Sequence, residues 1–172
     1  MMVPIKIFTD GGCSGNPGPG GWAYVIAAAD PPDTAGSPDA AGGGENIIAE
    51  KYGGEKNTTN NRMELLAAIY ALEYVRELSE SAAGPSWKIT VYTDSQYVQK
   101  GMTLWLQNWK LKQWRTTGKE EVKNKDLWLR LDNLAGLFPV DWVWVAGHAG
   151  NELNERADRM TQMAIQKIKG EI

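Results

Sequence analysis

The sequence predicts an α/β fold built around a mixed β-sheet. The first third of the chain holds apolar, β-branched runs separated by glycine-rich or proline-rich turns, which is typical of sequential strands. A long amphipathic helical pattern follows these runs. Two apolar runs end in the same aromatic-Thr-Asp motif, at Asp10 and Asp94. A crossover helix between these two strands would make them parallel.

The first strands are predicted to form a hairpin that a third strand extends. Residues 5–9 have high β propensity, and residues 22–28 form a second such run after the turn-forming residues 11–21. Residues 29–45 are rich in Pro, Gly and Ala without periodicity, so we expect a mobile surface loop there. The third strand is predicted near residues 46–52.

The rest of the chain alternates helices and strands. Thr58 or Thr59 can cap the start of a helix that runs to about Leu78. Ala-Gly-Pro at residues 83–85 then separates this helix from the next strand. The later predicted elements are a strand at 88–93, helical pieces that fill 95–135, a strand at 141–146 and a helix at about 152–169. This order of strands and helices favours an α/β domain with a mixed sheet.

The composition fits one domain spanning residues 1–172, with 42% hydrophobic residues available for its core. Cys13 and His148 are the only cysteine and histidine, so a disulfide framework and a multi-histidine zinc site are excluded. The N-terminal residues include an acid and no long apolar run. We therefore expect no signal peptide, no membrane partner and a cytoplasmic location. We also expect a monomer without an obligatory protein partner.

Charge is unevenly distributed along the chain. The net charge is −3, but residues 100–130, named the basic segment here, hold eight basic and three acidic residues and carry +5. The segment also contains four tryptophans: Trp105, Trp109, Trp114 and Trp128. Positive charge beside flat rings suits the phosphates, sugars and bases of a nucleic acid. A solvated helical face whose tryptophans belong to the core explains the same pattern.

Two carboxylates are predicted to lie at one edge of the sheet. Asp10 and Asp94 each follow an apolar strand, and the crossover helix would place these strands side by side and parallel. The carboxyl ends of parallel strands are where α/β sheets bind ligands. We therefore expect these two side chains to belong to a functional site.

Glu64 is unusual because it continues the apolar stripe of its helix, which must face the sheet. A carboxylate in that position is costly unless it is paired or bound to a metal. The spacing alone leaves open both a metal ligand and a structural role, in which the carboxylate complements the helix N-terminus or pairs with Arg62. Asp158 says little by itself, since an acid near Arg156 and Arg159 is ordinarily part of a surface ion pair.

Clustered carboxylates without thiols or a histidine set favour a hard, oxygen-seeking cation. Mg²⁺ fits a site made of a few carboxylates, water and a substrate phosphate, and Mn²⁺ can substitute for it. Two such ions about 4 Å apart activate water and stabilise the leaving oxygen in phosphodiester cleavage. The spacing equally allows a single ion or a purely structural acidic cluster.

Four ordered motifs cover nearly the whole chain apart from residues 29–52. They are FTDGGCSGNPGPGGW at 8–22, TTNNRMEL at 58–65, YTDSQYV at 92–98 and GHAGNELNERAD at 147–158. With these motifs the chain resembles the bacterial-type ribonuclease H, type 1, and its basic segment is similar to the basic protrusion of that family. The resemblance implies a ribonuclease H-like fold, a mixed five-stranded sheet flanked by helices on both faces. It also implies an endonuclease that hydrolyses the RNA strand of RNA/DNA hybrids with two metal ions, leaving 5′-phosphate and 3′-hydroxyl ends.

The same resemblance implies roles for individual residues. The catalytic residues that bind metal would be Asp10, Glu64, Asp94 and Asp158. His148 would be a mobile catalytic auxiliary that assists proton movement and product departure. The expected substrate-binding residues are Asn16, Asn60 and Gln96 at the minor groove, Thr59 at a DNA phosphate, Trp105 at a DNA sugar, and Lys110, Lys112 and Arg115 in the basic segment. The polar residues of this set serve equally well as helix caps and turn formers.

The chain departs from the family pattern in two places. Asn57 stands where the family often has an arginine, two positions before the phosphate-pocket threonine. We therefore expect the grip on the DNA strand to be weaker, or shared with the neighbouring Lys56. Residues 29–45 form a longer segment than the family leads us to expect, and no function is assigned to them.

Other classes of function fit the sequence less well. The glycine-rich residues 11–21 lack the Lys-Ser/Thr ending and the following helix of a nucleotide-binding loop. A non-catalytic nucleic-acid-binding module would not need all four carboxylates. A transposase-like nuclease would usually carry additional DNA-binding domains.

Overall fold

A mixed sheet forms the centre of the computed structural model, which describes residues 2–29, 46–81, 86–147 and 150–171. Within these ranges the sheet has five strands: β1 (Met2–Cys13), β2 (Gly18–Ala28), β3 (Ile47–Thr58), β4 (Ser86–Thr93) and β5 (Val140–Trp144). Their order is β3-β2-β1-β4-β5. β2 is antiparallel to both β1 and β3, and β4 is parallel to both β1 and β5. The predicted mixed sheet is confirmed.

Helices cover this sheet on both faces, as expected. They are α1 (Asn60–Glu80), α2 (Gln96–Lys100), α3 (Leu106–Leu111), α4 (Lys125–Ala135) and α5 (Glu152–Lys169), with a π-helical turn at Gly101–Trp105 between α2 and α3. The Thr59 hydroxyl accepts a hydrogen bond from the Arg62 backbone N–H at 3.3 Å, so Thr59 is the cap of α1. Among the described residues, no helix combines the length and apolar character needed to cross a membrane.

Side chains of β1 and β2 alternate between the two faces, because successive residues of a strand point to opposite sides. The face toward α1 is covered by Ile5, Ile7, Trp22, Tyr24 and Ile26, which belong to the larger core. The opposite face packs against α5 through Phe8, Ala23, Val25 and Ala27 of the sheet and Leu153 and Ala157 of the helix. Burying both faces stabilises the sheet and fixes α1 and α5 relative to it.

Several boundaries differ from the sequence-based prediction. The first three strands are longer than predicted, since Gly11, Gly12 and Cys13 still pair with β2 and β3 continues to Thr58. The helical prediction for residues 95–135 is wrong over 112–124, where turns and an isolated bridge replace helix. Gln113 and Trp114 have positive φ, which ends α3. Of the predicted loop at 29–45, all but Ala29 lies outside the described residues.

The tryptophans of the basic segment pack mainly on one another. Trp109 lies 5.1 Å from the ring of Trp128 and 5.9 Å from those of Trp105 and Trp114. Trp128 is fully buried, and a Cβ at Gly101 would contact its ring. The alternative that these tryptophans belong to the core is therefore correct for Trp128, and Trp109 and Trp114 pack partly buried against the same core. Trp105 stays partly exposed.

Candidate active site

Three carboxylates meet at the carboxyl edge of the central strands. Thr9 of β1 is in register with Thr93 of β4, so Asp10 and Asp94 follow at the same level of two adjacent parallel strands. Glu64 reaches the same place from α1. An oxygen of each of these three carboxylates lies within 4.8 Å of an oxygen of the other two. The structure thus brings together three of the four acids that the sequence pointed to.

Gly11 allows Glu64 to reach this cluster. A Cβ added at Gly11 would contact the backbone of Met63 and Glu64, so the first turns of α1 lie directly on β1. No other residue type fits such a close approach of helix to strand. From the sequence, Gly11 was predicted only as part of a turn-forming segment. Its packing role was missed because that role depends on a helix fifty residues away.

Burial and mutual repulsion disfavour ionisation of the cluster. Asp10 is 5% exposed and Glu64 8% exposed. Burial, with the nearby charges of Asp94 and Asp158, raises the pKa of Asp10 to about 8, although a hydrogen bond with the Thr161 side chain opposes this. Burial and the charges of Asp10 and Asp94 likewise raise the pKa of Glu64 well above its ordinary value. A bound cation would reverse this preference.

The environment of Glu64 removes one of the interpretations that the sequence left open. Arg62 pairs with Asp126 at 2.9 Å, so the predicted alternative of an Arg62–Glu64 ion pair is wrong. Within the described residues, Oε2 of Glu64 has no hydrogen-bond partner. A buried carboxylate oxygen without a donor, beside two further carboxylates, fits a hard divalent cation. The residues present therefore suit a Mg²⁺-type ion.

Asp158 lies on α5, at the margin of the three-carboxylate cluster. It is half-buried, and its charge contributes to the raised pKa of Asp10. Arg156, which the sequence suggested as an ion-pair partner for Asp158, instead binds Glu50 with atoms 2.6 Å apart. Asp158 is thus close enough to influence Asp10 electrostatically, but its carboxylate is not part of the three-carboxylate cluster.

Polar residues predicted to bind substrate line the nearby loops and helix starts. The Asn16 side-chain oxygen accepts a hydrogen bond from the Asn60 backbone N–H at 3.2 Å, which joins the β1–β2 turn to α1. Gln96 is exposed at the first turn of α2, directly after Asp94 and Ser95. Thr59 caps α1, so the capping interpretation holds for this residue.

The three predicted cations of the basic segment differ in their contacts. Lys110 forms an ion pair with Asp132 of α4 at 3.0 Å. Arg115 donates to the carbonyl oxygen of Lys119 at 3.2 Å. Lys112 is exposed. The charge of Lys110 is therefore balanced by an acid outside the basic segment, whereas Lys112 and Arg115 form no ion pair among the described residues.

The loop after β5 begins beside Asp94. The Trp144 indole N–H donates to the Asp94 carbonyl oxygen at 3.0 Å, and a Cβ at Gly147 would lie 3.3 Å from the Asp94 carboxylate. His148 lies outside the described residues, so its role stays a prediction. From the sequence, Trp144 was predicted only as a strand residue. Its place near the C-terminal end of a strand, the end at which the active-site acids were expected, was the signal that could have identified it.

Comparison with known proteins gives a consistent result. The sequence model of the RNase H family matches residues 3–166. A ribonuclease H of Treponema denticola is 48% identical over 170 residues, covering 95% of this chain and 98% of its own. A ribonuclease H of a Ruegeria species is 49% identical, covering 98% of this chain and 95% of its own.

Solved structures of similar proteins share the fold. A type 1 RNase H that carries the type 2 active-site motif superposes with a TM-score of 0.76 and 28% identity, covering 97% of this chain and 74% of its own. The LC11 RNase H1, solved in complex with an RNA/DNA hybrid, superposes with a TM-score of 0.64 and 26% identity. That superposition covers 95% of this chain and 97% of the LC11 chain.

Proposed function

The chain belongs to the ribonuclease H family, and on that basis we propose that it is an endonuclease that hydrolyses the RNA strand of RNA/DNA hybrids. Cleavage leaves 5′-phosphate and 3′-hydroxyl ends. The observation that carries the proposal is the convergence of Asp10, Glu64 and Asp94 at one sheet edge, in a chain that matches the family over residues 3–166. The structure of a related enzyme with an RNA/DNA hybrid supports the same substrate class.

We propose that Asp10, Glu64, Asp94 and Asp158 bind two Mg²⁺ ions, for which Mn²⁺ can substitute. When bound, divalent cations supply Lewis-acid activation of the attacking water and neutralise charge that develops on the leaving oxygen. The carboxylates hold their negative charge close to a substrate that is itself a polyanion, so they repel it unless cations compensate them. Gly11 keeps Glu64 against β1, and the Trp144 indole N–H holds the backbone of Asp94.

The remaining predicted residues are proposed to bind and orient the hybrid. Asn16, Asn60 and Gln96 face the minor groove, where the 2′-hydroxyl distinguishes RNA from DNA. Thr59 binds a DNA phosphate at the N-terminus of α1, where backbone N–H groups favour anions. Trp105 packs on a DNA sugar. His148 assists proton transfer and product departure, a role that an imidazole suits near neutral pH.

We propose one domain over residues 1–172, acting as a monomer, with the basic segment as the part that extends the substrate contact.

A duplex comparison tests the function directly. Labelled RNA/DNA, RNA/RNA and DNA/DNA duplexes are incubated with the protein, with Mg²⁺ and with a chelator. We expect cleavage of the RNA strand of the hybrid alone, and only with the metal present. Cleavage of all three duplexes, or of the hybrid in the chelator, would contradict the proposal.

Removing positive charge from the basic segment is expected to weaken hybrid binding. The triple change of Lys110, Lys112 and Arg115 to Ala should flatten the dependence of log affinity on log salt concentration, by roughly one unit of slope per lost phosphate contact. The loss should be smallest for Lys110, whose charge Asp132 already balances. Saturating hybrid should restore most of the turnover.

The matched control removes three cations from other elements: Lys51 of β3, Arg76 of α1 and Lys88 of β4. This variant has the same net charge as the first. A general loss of protein charge would affect both variants alike, whereas specific phosphate contacts affect only the first. An unchanged salt slope in the basic-segment variant would mean that its cations are merely solvated.

A further inference from the structure

We infer that Arg62 is a positioning residue that braces the basic segment against the active-site helix, so that the bases of this segment meet the hybrid in register with the carboxylates. This inference deepens the proposed function and rests on it. The residues that carry it are Arg62 of α1, Asn124 and Asp126 at the start of α4, and Tyr97 of α2.

Arg62 is fully engaged with the basic segment. Its NH1 donates to Asp126 Oδ1 at 3.1 Å and to Asn124 Oδ1 at 3.2 Å, while NH2 donates to Asp126 Oδ2 at 2.9 Å. The Asp126 contact is bidentate, the geometry in which a guanidinium fixes orientation as well as distance. Arg62 lies in the first turn of α1, two residues before Glu64. The brace therefore starts at the helix that carries a catalytic carboxylate.

A second connection runs from the same point to the helix after Asp94. Asn124 has φ of 60°, a left-handed conformation that Asn tolerates better than most residues. Its side-chain N–H donates to the Tyr97 hydroxyl at 3.1 Å, and this hydroxyl also accepts from Trp128 Nε1 at 3.1 Å. Tyr97 lies three residues after Asp94. The start of α4 is thus tied both to α1, which carries Glu64, and to α2, which follows Asp94.

The exposure of the pair indicates a role in orientation more than in folding. The Arg62 and Asp126 side chains are 33% and 64% exposed, and exposed ion pairs add little to global stability. Arg62 is also a poor candidate for a direct phosphate ligand, because Asp126 already neutralises its charge. What the pair fixes is the position of the start of α4, and of the turns before it, against the first turn of α1, whereas the buried side chains of α4 hold the rest of that helix.

A brace and a purely electrostatic role predict opposite changes in the affinity for the hybrid. Asp126→Asn removes a negative charge beside a polyanionic substrate, so a purely electrostatic role predicts tighter hybrid binding. The brace predicts weaker binding. We expect Asp126→Asn and Arg62→Ala each to raise the Kd for the hybrid roughly three- to tenfold. Losing the pair costs only the free energy by which it favours the binding-competent orientation over others.

A double-mutant cycle with a matched control tests this inference. Kd for an RNA/DNA hybrid is measured by fluorescence anisotropy at several salt concentrations, in an Asp10→Asn background that prevents cleavage. The Arg62→Ala/Asp126→Asn double variant should bind no more weakly than the worse single variant, because both changes remove the same contact. The control pair is Arg156 and Glu50, bidentate at 2.6 and 2.8 Å but joining α5 to β3. Arg156→Ala and Glu50→Gln should leave Kd within about twofold of the parent.

Each outcome supports or overturns the brace. Tighter or unchanged binding by Asp126→Asn overturns it, and so do additive effects in the double variant. A salt slope reduced by about one in Arg62→Ala alone overturns it in favour of a direct phosphate contact. Similar melting temperatures for parent and variants confirm that the fold is intact. If the protein with its native Asp10 does not cleave the hybrid, the proposed function fails; if it cleaves and these variants bind normally, the brace alone fails.

Discussion

Asp10→Asn is expected to abolish hybrid cleavage while the protein stays folded. Asp10 shares the carboxylate cluster with Glu64 and Asp94, so losing its charge weakens the cation sites that the cluster forms. Removal of a metal ligand should cost several kcal/mol of transition-state stabilisation, which is about a hundredfold or more in rate. Single-turnover cleavage at saturating hybrid and Mg²⁺ measures this loss. A variant that keeps more than about a tenth of the wild-type rate would refute the assignment of Asp10.

The same change is expected to raise the stability of the metal-free protein. The pKa of Asp10 is raised to about 8 from an ordinary value of 3.8, chiefly by burial. The Asp10 carboxyl therefore makes its full contribution to the free energy of unfolding below pH 3.8, and this contribution is lost as the pH rises through about 8. Asn carries no charge at any pH. The advantage of Asp10→Asn should thus be small near pH 4, grow with pH and level off above about 8.

Thermal melting in a chelator, measured at several pH values, checks this second effect. Asp158→Asn is the comparison, since Asp158 is half-buried at the margin of the cluster and should give a smaller gain. Adding Mg²⁺ should raise the melting temperature of the wild type more than that of Asp10→Asn, because ligand binding stabilises only a competent site. Equal curves for wild type and Asp10→Asn at every pH would contradict the electrostatic description of the cluster.

The sheet could be predicted from the sequence because its signals are local. The aromatic-Thr-Asp endings at Asp10 and Asp94, with one helical pattern between them, were sufficient to predict parallel neighbours. The cap at Thr59 and the bounds of α5 were also predictable, since both depend on neighbouring residues. The extension of β1 through Gly11 and Gly12 was not, because glycine has low β propensity and pairs there only under tertiary constraint.

The candidate site was predictable to the extent that its residues interrupt a pattern. Glu64 was noticed because a carboxylate broke an apolar stripe, and the structure buries it. Asp158 interrupts nothing, so only the family resemblance pointed to it. Trp144 looked like an ordinary strand residue, and its contact with Asp94 depends on the pairing of β4 with β5. The Arg62–Asp126 pair joins positions 64 residues apart, a separation that one sequence does not reveal.

Gly11→Ala is expected to reduce cleavage by about thirtyfold or more, although the altered side chain bears no reacting group. Its Cβ would contact the backbone of Met63 and Glu64, so α1 must move away from β1 and take the Glu64 carboxylate with it. A displacement of about 1 Å in a catalytic group can cost a hundredfold in rate. Overpacking of this kind also destabilises a fold by about 1–3 kcal/mol. Cleavage is therefore measured well below the melting temperature of the variant.

Gly12→Ala is the control that isolates this close approach. A Cβ at Gly12 would meet the Thr161 and Ile165 side chains at 3.7 and 3.8 Å, ordinary contact distances. This variant adds the same methyl group one residue along the same strand, but on the face toward α5. We expect its rate to stay within about threefold of the wild type, and its melting temperature to shift less than that of Gly11→Ala. If Gly11→Ala cleaves as fast as Gly12→Ala, the packing of α1 on β1 does not set the position of Glu64, and the cluster must tolerate a displaced helix.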